Sequence, residues 1–367
     1  MASWFDSAKI GEHQVAKVEG AITHDRAFTL FKEIADTHAP SQTVSFTRGM
    51  KIEQLLGPAL AGIRSSRFAS DFQGTGNVAL MLTDTPRAVI IAHADEISYL
   101  LDEKPEGETI ALLPFCSHRS EGVWPARVLR YDAKEDTMKV QATGSLISRK
   151  QSDRLIPYLT NLSGKVEIGD RIIFDYPLVR NDANMVFGKV DNAAGVSACL
   201  AAILAVTEFA EVPPVWFVFP DEEEGPPVSN STFARGARRL MHSLDVPAST
   251  LFVVVDGHDT GSHGNPGSAA LFTEKESLCR GAVVPPHLYA GFKDFAAAIR
   301  NHGVEVVQHS QYVARSDSPA LMERFRNILL LGYPVKDAHF DMAAPSTSLD
   351  AIVALSKAIA YLLLSLR

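Results

Sequence analysis

The chain has few of the signatures that assign a protein quickly. Its three cysteines, Cys116, Cys199 and Cys279, show no CxxC spacing. That argues against a disulfide framework and fits a reducing compartment. There is no GxSxG, which disfavours a serine hydrolase. QGTGN, at 73 to 77, is too short for a dinucleotide fingerprint and reads as a loop. No apolar run reaches the roughly 20 residues needed to span a bilayer. The most apolar late segment, AIVALSKAIAYLLLSLR at 351 to 367, is broken by Lys357 and reads as a C-terminal helix packed on the core. The opening MASWFDSAKIGEHQ has no basic end followed by an apolar run, so no signal peptide is expected. A cytoplasmic protein follows, in which the sequons at Asn161 and Asn230 are chance matches. A net charge of −8 disfavours an extended nucleic-acid surface. Neither an internal repeat nor a low-complexity segment is visible.

What is present is an ordinary globular composition, 46% hydrophobic and 21% charged over 367 residues, enough for about two domains. Three short apolar runs, AVIIA (88 to 92), VWFVF (215 to 219) and LFVVV (251 to 255), lack polar alternation, as strands covered on both faces do. Helical spacing marks HDRAFTLFKEIADTHAP up to Pro40, and MKIEQLLGPALAGI predicts a second, Gly-Pro-interrupted helix. AAGVSACLAAILAVTEFA after Asp191 and FARGARRLMHSL between the second and third runs are further helices. The pattern predicts an α/β fold: a mainly parallel mixed sheet with helices on both faces. Residues 104 to 180 read differently. Short apolar stretches such as ARVLRYD and DRIIFDY alternate with Gly, Asp, Lys and Ser, which predicts a small inserted all-β, barrel-like domain. The α/β domain is then 1 to 103 plus 181 to 367.

Each apolar run ends in acids or histidine: His93-Ala94-Asp95-Glu96, then Asp221-Glu222-Glu223-Glu224 after Pro220, then Asp256-Gly257-His258-Asp259. Ligands of open α/β sheets bind outside the carboxyl ends of the strands. One sheet edge should therefore gather these groups. Alone they would repel and raise one another's pKa values; divalent cations remove that penalty. Imidazole with carboxylate suits zinc better than calcium or magnesium. Taken singly, each signal has an ordinary reading. The acidic run can be a solvated turn, Asp191 a helix cap and His339 a structural histidine. The force lies in the ordered set.

That order, HADE, VDNAAG, DEEEG, VVVDG and AHFD, resembles the dinuclear zinc exopeptidases, and within them the glutamyl-aminopeptidase and tetrahedral (TET-type) aminopeptidase family. The likeness runs from about residue 24 to the C-terminus, and the place of the β insertion favours this family over related carboxypeptidases and aminoacylases. The resemblance implies two divalent ions, zinc with cobalt or manganese as alternatives. His93 and His339 would each bind one ion, Asp191 would bridge them, and Glu223 and Asp256 would be terminal ligands. With EExG aligned on 222 to 225, Glu222 would be the general base, and Asp95 would orient His93. Implied too are peptide substrates cut at the N-terminal residue and a homo-oligomer. The chain departs from the family pattern at Ala92, Ala94 and Ser98, at Ala193, in Ala314-Arg315-Ser316-Asp317-Ser318, and at Phe340-Asp341. None of these removes an expected ligand, but all fall near the pocket, so substrate preference does not carry over. A carboxypeptidase, dipeptidase or amide deacylase of the same fold, or a non-catalytic homologue, remain the alternative readings.

Overall fold

Four neighbouring parallel strands form the centre of the molecule: Val215–Phe219, Ala88–Ile91, Leu251–Asp259 and Ile328–Lys336, in that spatial order. The computed structural model describes residues 4–104, 107–115, 120–152, 154–225, 234–260, 266–276, 281–312 and 316–366. Every residue of Val215–Phe219 and of Ala88–Ile91 is buried. Successive strand residues face opposite sides, so both faces of the sheet are covered there. The three apolar runs are thus strands as expected. The fourth, ILLLGYPVK, escapes a sequence reading because Gly332 and Pro334 punctuate it like a turn. Antiparallel strands flank this centre, among them Val78–Met81 on one side and Ser346–Ser348 on the other, making the sheet mixed.

The expected helices form. His24–Asp36 is capped by Thr23, whose hydroxyl accepts from the Arg26 N–H, and it ends before Pro40. Arg48–Leu60 carries Pro58 in its last turn. Ala193–Val206 is buried almost all round and packs on both His24–Asp36 and Leu349–Ser365. Full burial of a Leu or Ile such as Leu200 or Ile203 contributes about 1.5–3 kcal/mol each. Its cap is Asn192, not Asp191: the Asn192 side chain accepts from Gly195 N at 3.1 Å. Gly195 is needed here, since a Cβ would lie 2.1 Å from Asn192 Oδ1. Arg235–Ser243 and Leu349–Ser365 complete the expected set. Among the described residues no helix is long and apolar enough to cross a membrane. Cys199 is a buried free thiol, whose pKa burial pushes up. Cys116, Cys279, Asn230, Ala314 and Arg315 lie outside the described residues.

A second, wholly antiparallel sheet follows the order Ile110–Ala111, Arg154–Gly164, Thr137–Gln151, Gly122–Asp132, Arg171–Phe174, Ser98–Leu100, Leu113–Phe115. Its limits differ from the expected 104 to 180. It starts with Ser98–Leu100, because Ile97, Tyr99 and Leu101 alternate into its core. It ends with Arg171–Phe174, and Val179–Arg180 already pairs with Met185–Phe187 in the first sheet. Its core gathers Tyr99, Trp124, Leu146 and Phe174, and also Phe340 from far along the chain.

Candidate metal centre

The carboxyl ends of the four parallel strands deliver the acids and histidines to one edge. Pairing continues past the strand ends, with Ala92 N donating to Val218 O and Ala94 N to Pro220 O, at 3.2 and 2.8 Å. The segments carrying His93 and residues 221 to 224 therefore leave the sheet side by side. Asp256 is still within its strand, Asp191 precedes the helix Ala193–Val206, and His339 lies in the turn after Ile328–Lys336. The peptide joining Asp191 to Asn192 is cis. Asn192 Nδ2 donates to Val255 O at 2.8 Å, and the Tyr333 hydroxyl donates to its Oδ1 at 3.0 Å, fixing Asp191 beside the Asp256 strand.

Asp191 is central. Its Oδ1 lies 3.2 Å from His93 Nε2 and its Oδ2 3.7 Å from His339 Nε2. His93 Nε2 also lies 3.7 Å from Asp256 Oδ1 and 3.9 Å from Glu223 Oε2. Among the described residues, three groups place one ligand atom per residue within 4.8 Å of the others: His93, Asp191 and Asp256; His93, Glu223 and Glu224; and Asp191, Glu224 and His339. Asp95 stands behind them. Its Oδ1 is 3.3 Å from His93 Nδ1 and accepts from Glu223 N at 3.1 Å. Its Oδ2 accepts from Ser41 Oγ at 2.6 Å and Glu224 N at 3.2 Å. One carboxylate thereby orients the imidazole and holds the backbone of two glutamates.

The acidic run separates into four environments. Asp221 accepts from the N–H groups of Gln42, Val44 and Glu222, at 2.8, 3.1 and 2.7 Å, and anchors the loop. Glu222 has a left-handed backbone, φ 55°, which turns its side chain away from the cluster. Its carboxylate binds the Arg239 guanidinium and lies 3.7 Å from that of Arg235. Glu222, expected to face the cations as base, therefore does not. The cluster receives Glu223 and Glu224 instead, one residue later than the EExG alignment expected. Gly225 then passes so close to the second sheet that a Cβ would lie 2.7 Å from the Phe115 carbonyl carbon. The run EEE by itself carries no signal for this register; it depends on the φ at Glu222.

Among the described residues the site is short of positive charge. Asp95, Asp191, Glu223, Glu224, Asp256 and Asp317 gather around His93 and His339. Burial raises the Glu223 and Glu224 carboxyls well above the ordinary range, and neighbouring carboxylates add to it. Burial also raises Asp256, with His93 opposing. Asp317, a buried acid outside the expected ligand set, is pushed up to about 8 by burial. For His93 burial favours the neutral ring, but the charge of Glu223 and hydrogen bonds to Asp191, Asp256 and Asp95 prevail and raise it well above 6.5. The cluster draws in positive charge. Glu224 Oε1, buried and without a hydrogen-bond partner among the described residues, is one oxygen that a cation would satisfy. Behind the site, Glu96 binds Lys189 at 2.8 Å and Ala39 N at 2.7 Å, while buried Arg48 donates to Ala94 O at 2.9 Å.

No protein-family model and no curated protein matches the sequence. Solved structures do. The TET aminopeptidase of a marine sediment archaeon of the Thaumarchaeota superposes with a TM-score of 0.72 at 16% identity, over 92% of this chain and 96% of that one. The Pyrococcus horikoshii TET1 peptidase, described as assembling into a tetrahedron or a large octahedral shell, gives 0.67 at 16% identity, over 92% and 99%. Aminopeptidase I of Clostridium acetobutylicum gives 0.64 at 12% identity, over 99% of each. The chain shares the fold of these aminopeptidases along nearly its whole length.

Proposed function

We propose that the protein is a two-metal aminopeptidase, removing N-terminal residues from peptides. The observation that carries this reading is Asp191, whose two oxygens face the two histidines and which shares one three-residue group with each of them. The donor set is imidazole and carboxylate, which suits zinc, with cobalt or manganese as alternatives. His93, Asp191 and Asp256 would hold one ion, and Asp191, Glu224 and His339 the other. Bound there, divalent ions supply Lewis acidity at the scissile carbonyl and a water acidic enough to be deprotonated near neutral pH.

The chain's own residues do the rest. Glu223, adjoining His93 and, among the described residues, not engaged by an arginine as Glu222 is, takes the proton of the attacking water on its carboxylate. Burial gives that carboxylate a high proton affinity, suiting it both to accept the proton and to return it to the leaving amine as the C–N bond breaks. Asp95 holds His93 and fixes the backbone of Glu223 and Glu224, so base and ligand keep their spacing. Preference for a free α-amine, and assembly into a homo-oligomer, are supported by what the structural neighbours are described as.

A panel of aminoacyl p-nitroanilides and their N-acetylated counterparts tests the reading, with the protein chelated and then resupplied with Zn²⁺, Co²⁺ or Mn²⁺. Hydrolysis of the free-amine substrates alone, lost on chelation and restored by metal, is expected. Hydrolysis of only the acylated series would make it a deacylase, and none with any metal a non-catalytic homologue.

A further inference from the structure

We propose that Phe340 is a positioning residue, which docks the His339 turn into the core of the inserted β domain and thereby sets the half of the centre formed by Asp191, Glu224 and His339. The inference rests on the metal-centre reading above. Phe340 follows His339 directly and lies in a tight turn, its N–H donating to Asp337 O at 2.8 Å. Both ends of the turn are left-handed, with φ 54° at Asp337 and 57° at Phe340. A bulky residue at positive φ is a genuine outlier, and it persists only where its surroundings over-determine it.

The surroundings here belong to the second sheet. The Phe340 ring stacks on Phe174 with centroids 3.8 Å apart and planes 9° apart, and lies 5.1 Å from the ring of Tyr176. Only 3% of the residue is exposed. Phe174 in turn meets Tyr99 and Trp124 edge-on, at 5.9 and 5.7 Å, so Phe340 joins an aromatic cluster built by strands of the inserted domain. Adjacent Cα atoms are about 3.8 Å apart, so a ring held in that cluster leaves the His339 backbone little freedom. His93 has a different support: its ring partner Asp95 is fixed by Ser41 and by two backbone N–H groups of the α/β domain. The two histidines of the centre are thus placed by different domains.

Phe340→Asn separates ring from backbone, because Asn tolerates the left-handed conformation. The full-length chain, stripped by chelation, is titrated with Zn²⁺ alone against a competing indicator. The native protein is expected to take two ions. In Phe340→Asn one of the two should bind about 10–100-fold more weakly, the range seen when a ligand's support is removed. The other ion should keep its affinity, and Phe340→Tyr, which keeps the stack, should restore both. Unchanged affinities in Phe340→Asn would overturn the proposal. So would equal weakening of both ions in step with a lower Tm, which is what loss of core packing alone gives. Amide hydrogen exchange on the metal-free proteins gives a second readout. Residues 337 to 343 should exchange at least about tenfold faster in Phe340→Asn, with 93 to 96 unchanged. Equal protection would sink the tether even if the native chain bound no zinc, a result that by itself sinks the metal-centre reading.

Discussion

Three consecutive glutamates allow the site to be tested by substitutions that differ in position and not in chemistry. Glu222→Gln should cost stability and spare turnover. Its buried carboxylate binds Arg239, and a hydrogen bond to a charged group is worth about 1.5–3 kcal/mol. The Arg239 side chain is 42% exposed, which reduces the loss to about 1–2 kcal/mol. Glu223→Gln should lose the base. General-base catalysis contributes about 10²–10⁴-fold, so kcat should fall by that factor, or about 3–5 kcal/mol in barrier, with KM and bound metal little changed. Glu224→Gln should weaken one ion, and its activity should partly return at raised metal concentration. The assay is steady-state hydrolysis of an aminoacyl p-nitroanilide for the three variants, with bound metal counted and melting curves recorded for each. If Glu222→Gln lost 100-fold in kcat at an unchanged Tm, or Glu223→Gln kept native turnover, the assignment of Glu223 over Glu222 would be wrong.

Two further outcomes follow from the same structure. Asp95→Asn must place an N–H₂ where one carboxylate oxygen accepts hydrogen bonds, from Glu223 N on one side or from Ser41 Oγ and Glu224 N on the other. It should weaken zinc binding about 10–100-fold in a competitive titration, and native-like affinity would refute the role given to Asp95. His38 lies between Lys189 and Arg127, and burial, then the charge of Lys189, lowers its pKa from 6.5 to about 4. The folded value lies below the unfolded one, so this stability is present above about pH 6.5 and lost as pH falls towards 4. The shift corresponds to on the order of 3 kcal/mol. Melting curves from pH 7.5 down to 4.5 should therefore converge for the native chain and His38→Gln, and a constant gap between them would contradict it.

The strands AVIIA, VWFVF and LFVVV are legible because a segment covered on both faces must be apolar throughout, and composition alone records that. The helices Ala193–Val206 and Leu349–Ser365 are legible for a similar reason. The ligand types are also in the sequence, since an acid or histidine at the end of each such strand has to arrive at one sheet edge. ILLLGYPVK is not legible, because its Gly and Pro mimic a turn and only its pairing with Leu251–Asp259 makes it a strand. Nor is the start of the β domain at Ser98, where three alternating apolar residues show their purpose only against Trp124 and Phe174. The division of labour within Asp221 to Glu224 is a tertiary decision as well. Adjacent glutamates are chemically identical, and a single left-handed residue, held by arginines on the next helix, Arg235–Ser243, determines which of them face the cluster. Sequence determines which groups reach the edge, because burial and charge act residue by residue. Only the folded chain decides which way each group points, because that depends on partners far away along the chain.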